Sequence, residues 1–308
     1  MSIELIDHIN VQNTLGESPV WDERTGHLWW VDIQARLIYR YDLSTKTYEN
    51  FAVPERACAL GLTTDIGTLI IGFETGFALF DYASGVITWL ARPEFQNTGR
   101  RFNDGRVDRQ GRFWAGSMVE DAGKAGDASA ALYCLANAGT DAGAKTMMND
   151  IMISNGLCWS PDASVLYFAD SPRHTIFAYD FDKDTGAIAN KRIFATTAPG
   201  VFPDGSDVDA QGYIWNAEWG GKRVVRYGLG GAIDHILDVP VTQPTCIAFG
   251  GKDMNVMFVT TARDGLSAET LTQEPQAGNV LIYQTDITGL PALKFRLSSE
   301  SLGERHEQ

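Results

Sequence analysis

The chain has 308 residues, 44% of them hydrophobic, and a formal net charge of −14 with pI about 4.7. That apolar fraction is far from a disordered composition and is enough to build a core, while the acidity argues against binding nucleic-acid phosphates or an anionic membrane face. The start, "MSIELIDHINVQN", carries charges where a secretory signal needs an apolar core, and no stretch has transmembrane length. The expectation is a soluble, cytoplasmic protein. Cys58, Cys134, Cys158 and Cys246 are far apart, lack CxxC spacing and read as reduced core thiols.

In chain order, "IELIDHIN" reads as a first strand, and a repeated phrase follows it. Its copies begin "ESPVWDERTGHLWWVD" at Glu17, "CALGLTTDIGTLIIGF" at Cys58, "NDGRVDRQGRFWAGS" at Asn103, "NGLCWSPDASVLYFAD" at Asn155, "DGSDVDAQGYIWNAE" at Asp204 and "TCIAFGGKDMNVMFVTT" at Thr245. Each is an apolar strand, a polar turn and an aromatic or β-branched strand, followed by a further apolar run such as "RLIYRYD", "TIFAYD" or "RVVRYG". The period of about 40 to 50 residues is that of a four-stranded propeller blade.

These features predict an all-β chain forming one six-bladed β-propeller over residues 1–297. Radial repetition protects sheet edges and buries apolar faces between blades. To close the ring, "IELIDHIN" is expected to pair within the blade that holds both "NVLIYQTD" and "ALKFRL". Residues 298–308 read as a disordered tail.

The copies at 102–115 and 202–217 share an Asp-Gly dipeptide, yet that match is out of register. Anchored on Val107/Val208 and Gly111/Gly212, Asp204 falls opposite Asn103, and Asp104 opposite Gly205. The first residue of each copy then stands four positions before an apolar anchor: Trp21, Leu62, Val107, Trp159, Val208 and Phe249. Equivalent blades would set Glu17, Cys58, Asn103, Asn155, Asp204 and Thr245 in one ring at one mouth of the central channel. Two carboxylates facing across a channel repel unless a proton or cation lies between them. Glu17, Asp204 and the amide oxygen of Asn155 offer a divalent metal three hard donors with open positions left.

Other signals carry less. Asp180, Asp182 and Asp184 hint at a calcium loop, but Gly186 is one place late and Lys191 replaces the closing Glu, so the stretch reads as a turn. "GLGG" at 228–231 has no strand-to-helix context and reads as a hairpin. His8, His27, His174, His235 and His306 lack paired-ligand spacing, and no GxSxG is present.

"LGESPVWD", "RFNDGRVD", "AGSMVED", "SNGLCWSPD", "FADSPRHTIFAYDFD" and "FPDGSDVDAQGYIW" resemble, in order, the motifs of the SMP-30/gluconolactonase/regucalcin-like family. The resemblance runs from about residue 14 to residue 297, and "TTARDGLSAETL" looks like its bacterial aldonolactonase branch. It implies a six-bladed propeller with one divalent metal in the channel and hydrolysis of sugar lactones. The family's metal ligands land on Glu17, Asn155 and Asp204, and its substrate-contacting Arg and Asn on Arg101 and Asn103. Its further acidic residue falls on Glu120 or Asp121.

The function this implies is metal-dependent opening of a glucono-, galactono-, arabinono- or xylonolactone to the sugar acid. The metal, whether Ca, Zn, Mg, Mn or Fe(II), would act as a Lewis acid and acidify water. Asp204 is the conventional general base. A cation-bound carboxylate is a poor base, so Asp204 either takes the proton or orients a metal-activated hydroxide. A non-catalytic calcium-binding, regucalcin-like propeller is the alternative.

Overall fold

The computed structural model describes residues 1–93, 99–136 and 143–297; the tail expected at 298–308 lies outside them. Among the described residues six sheets, each built on four antiparallel strands, surround a channel, so the fold is a six-bladed β-propeller. In the first blade the strands run Gly16–Asp22, His27–Asp32, Leu37–Asp42 and Thr47–Ala52, from the channel outward. Burial follows that order. The innermost strand Ala57–Thr63 is buried at every residue, whereas Thr47–Ala52, outermost in its blade, is exposed at nearly every one.

Apolar side chains fill the spaces between blades. Phe73, Phe77, Phe102 and Phe113 pack where the second blade meets the third, and Trp114 and Trp159 where the third meets the fourth. Trp21, Trp30 and Phe258 pack between the first and sixth. All four cysteines are free and buried.

The repeated Asp–Gly–Trp spacing has a local cause. Asp108 accepts the backbone N–H of Gln110 (2.9 Å) and Arg112 (3.0 Å) and the indole N–H of Trp114 (2.8 Å), which fixes both the hairpin and the strand leaving it. Asp209 does the same for Gln211, Tyr213 and Trp215 (2.9, 3.1 and 3.0 Å).

Ile3–Ile9 pairs antiparallel with Val280–Thr285 as the outermost strand of the sixth blade, so the two ends of the propeller are joined in one sheet. The "ALKFRL" segment corrects the sequence expectation. Lys294 and Phe295 leave that blade and pair in parallel with Leu62 and Thr63 of the second. Before them, Ala210 N–H donates to the Thr288 carbonyl (2.9 Å) and Gly289 N–H to that of Met254 (2.7 Å); beyond them, Arg296 N–H reaches Gly111 (3.0 Å). The chain from 286 to 297 is thus a strap from the fifth and sixth blades to the second and third. A strand two residues long has no periodicity of its own to reveal its partner.

Candidate metal and substrate site

Every innermost strand carries the same irregularity. Between the pairs Gly16↔Asp32 and Trp21↔Leu28 the inner strand advances five residues and its neighbour four. The same five-against-four step separates Ala57↔Phe73 from Leu62↔Leu69, Phe102↔Ser117 from Val107↔Phe113, and Ser154↔Asp170 from Trp159↔Leu166. It recurs between Pro203↔Glu218 and Val208↔Ile214, and between Pro244↔Thr261 and Phe249↔Met257. One extra residue bulges the strand and re-aims a side chain.

In each blade the residue just after the first of these pairs is the one read from the sequence as a ring member: Glu17, Cys58, Asn103, Asn155, Asp204 or Thr245. All six are buried. The register that sets Asp204 opposite Asn103 is therefore the register of the sheets. Backbone geometry accommodates the bulge. Ser18 and Gly156, each following a ring residue, have φ of 52° and 62°. A Cβ on Gly205 would lie 2.3 Å from Cys246 Sγ, so only glycine permits the fifth and sixth blades to approach this closely.

A hydrogen-bond chain crosses the ring. Arg101 Nη1 donates to Asn103 Oδ1 (2.8 Å), and Asn103 Nδ2 donates to Asn155 Oδ1 (2.9 Å) and to the Ser154 carbonyl (3.0 Å). Asn155 Nδ2 donates to Ser171 Oγ (2.8 Å), which donates to the Pro203 carbonyl (2.7 Å), one residue before Asp204. Asn103 thereby spends both amide hydrogens inside the protein and, among the described residues, keeps one lone pair free on Oδ1.

The carboxylates are under strain of another kind. Burial, and then the Asp104 charge, push Glu17 up to about 8; Asp204 is held well above the usual carboxylate range by burial, by Glu17 and by Asp104. The Asp204 carboxylate takes the Gly205 N–H and has no side-chain partner among the described residues. Among the described residues no three His, Cys, Asp or Glu side chains gather as a metal site on their own. The mixed set of Glu17, Asp204 and Asn155 Oδ1 nevertheless has the chemistry a hard divalent cation takes, two mutually repelling buried carboxylates and an oriented amide oxygen.

Of the two acidic candidates at the rim, only Glu120 meets Arg101, accepting from Nε at 2.8 Å. Asp121 instead caps the short helix Ala122–Ala125 and pairs with Lys124 at 3.1 Å. Sequence reasoning missed Asp104, a buried carboxylate that accepts the Leu157 N–H at 3.0 Å, because it was set aside with the out-of-register Asp-Gly match. It also missed Ser171, which accepts from Asn155 within the fourth blade, and Arg56, which reaches Glu120 from the second.

Below the ring, Arg106 bridges the third and fifth blades, donating to Asp207 (3.1 Å) and to the Ser206 carbonyl (2.7 Å). A cavity of about 70 Å³ lies there, lined by Asp104, Arg106, Asp207 and the strap residues Leu290, Pro291, Ala292 and Leu293. The strap thus packs against the Asp104 and Arg106 side of the ring, whereas Glu120, which holds Arg101, is part exposed at 31%.

The family model described as SMP-30/Gluconolactonase/LRE-like region matches residues 15–263. L-arabinolactonase of Azospirillum brasilense is 38% identical over 287 residues, covering 93% of each chain. 6-deoxy-6-sulfogluconolactonase of Pseudomonas putida is 34% identical over 279 residues, 90% of this chain and 93% of the relative. The crystal structure of regucalcin from Agrobacterium tumefaciens, described as a calcium-binding protein, superimposes with a TM-score of 0.88 at 31% identity, over 95% of this chain and 98% of that one. With the blades, the ring register and the matched region in agreement, the chain belongs to the SMP-30/gluconolactonase/LRE-like family.

Proposed function

We propose that the protein is a metal-dependent sugar lactonase that hydrolyses an aldonic acid lactone to the open-chain sugar acid. The observation that carries this reading is the pair Glu17 and Asp204, buried at one end of the channel beside the oriented Asn155 amide, on a scaffold whose relatives include two named lactonases. Glu17, Asn155 and Asp204 would hold the cation. Bound there, it supplies Lewis-acid polarisation of the lactone carbonyl and acidification of water.

The chain's own residues do the rest. Arg101 and Glu120 at the rim bind sugar hydroxyls, and the remaining lone pair of Asn103 accepts one more. Asn103 also holds Asn155 Oδ1 toward the ring. Asp204 accepts a hydrogen bond from the attacking water on the face of the ester carbon turned to the ring, and the pH dependence of kcat distinguishes orientation from proton removal. Burial of the ring keeps these charges out of bulk water, where they would be screened.

The test is acid release by chelator-stripped protein against pentono- and hexonolactones, with calcium, magnesium, manganese, zinc or ferrous iron returned singly and spontaneous opening subtracted. Metal-restored hydrolysis supports the reading. A second reading, a calcium-binding protein without turnover, is favoured by the likeness to a structure described as calcium-binding regucalcin. Calcium binding with no hydrolysis of any lactone would select it.

A further inference from the structure

Arg56, immediately before the inner strand Ala57–Thr63, lies between two carboxylates and binds both through paired hydrogen bonds. Its Nε and Nη2 donate to Glu74 (2.9 and 2.7 Å), and its Nη1 and Nη2 donate to Glu120 (2.8 and 2.8 Å). Glu74 follows the strand Thr68–Phe73, and its N–H donates to the Arg56 carbonyl at 2.8 Å, so the backbone itself sets the two side chains together. Glu120 comes from the next blade, where Arg101 holds it as well.

A carboxylate offers about four acceptor positions, two on each oxygen. Glu120 Oε1 fills both of its own, with Arg101 Nε and Arg56 Nη1; Oε2 fills one with Arg56 Nη2. Among the described residues one acceptor position is left, on the oxygen that does not meet Arg101. The Glu120 side chain is 31% exposed, against 4% for Arg101 and 17% for Arg56, so of the three it is the one most accessible from solvent. The two arginines also hold the Glu120 carboxyl below its usual range, keeping it an acceptor.

We propose that Arg56, clamped by Glu74, is a positioning residue for substrate recognition: it locks Glu120 so that a single acceptor meets a single hydroxyl of the sugar lactone. The inference rests on the lactonase reading and deepens it, because it sets the substrate class as a lactone with a hydroxyl donor at one defined ring or side-chain carbon.

The experiment measures kcat and KM of the metal-loaded wild type, Arg56→Met, Arg56→Lys and Glu74→Gln on the best lactone and on each of its monodeoxy analogues. Loss of one hydrogen bond to a charged group raises KM about ten- to a hundredfold. The contact is equal in ground and transition states, so kcat should hold. Arg56→Met should show that rise with the parent lactone and lose it with the one analogue that lacks the recognised hydroxyl. Arg56→Lys, a point donor, should recover only part, and Glu74→Gln should show a smaller rise of the same pattern. Thermal unfolding checks each variant, and the two milder substitutions carry the test where Arg56→Met does not fold. An equal rise on every analogue, or a fall in kcat at constant KM, overturns the positioning role alone. No turnover of any lactone by the wild type overturns the lactonase reading, and this inference with it.

Discussion

Asn103 Nδ2 donates to Asn155 Oδ1 at 2.9 Å, which joins the third blade to the fourth inside the ring and fixes which way the Asn155 amide faces. Asn103 is thus a support for a candidate metal donor as much as a contact for substrate. Removing such a support weakens metal affinity by about 10- to 100-fold. Asn103→Ala is expected to lose calcium or manganese affinity on that scale, read by titration calorimetry. Unchanged affinity with a raised KM would confine Asn103 to the substrate.

Glu17→Gln and Asp204→Asn keep the shape of the ring and remove one charge each. Both should weaken divalent-metal binding, and Asp204→Ala should lower kcat by about 10²-fold or more, the scale of a lost acid–base or orienting group. Near-normal kcat in Asp204→Ala at saturating metal would remove that residue from the chemistry.

The raised values of Glu17 and Asp204 give chelator-stripped protein a signed pH dependence. Each carboxyl holds its proton more tightly folded than unfolded, so stability is full below the ordinary carboxylate range. It declines as pH climbs toward about 8, where folded Glu17 ionises. The melting temperature of stripped protein should fall between about pH 5 and pH 8, while added divalent metal restores most at the upper end. Glu17→Gln should flatten the decline. A melting temperature that rises over this range would contradict the assignment.

Phe295 is fully buried where the strap docks on the second blade. Phe295→Ala should cost about 3–5 kcal/mol, the usual loss for a buried phenylalanine. Urea unfolding measures the loss, and kcat of the folded fraction should be unchanged because the strap lies on the far side of the ring from the rim.

Much of this was legible in the chain because the repeat encodes it. Each blade has its anchor four residues past the ring position, and the five-against-four step keeps that spacing identical even where Asp104-Gly105 and Asp204-Gly205 invite a false match. What was not legible depends on partners far apart in sequence. Arg56 meets Glu74 and Glu120 across 18 and 64 residues, and no local pattern announces either pair. Glu120 and Asp121 are neighbours beyond the same strand, Phe113–Val119, and only the turn into the following helix sends one to Arg101 and the other to a cap.

The bulge separates two tasks that a regular strand performs with the same residues. In an unbroken ladder, changing a side chain also disturbs the pairing and packing on both faces of the sheet. Here the ladder is secured on both sides of each bulge, so the blades present six ring positions in one common register. Four hold amide or carboxylate oxygens; Cys58 and Thr245 fill the others with a thiol and a hydroxyl. The mouth thus differs in chemistry from blade to blade while the six sheets keep the same step.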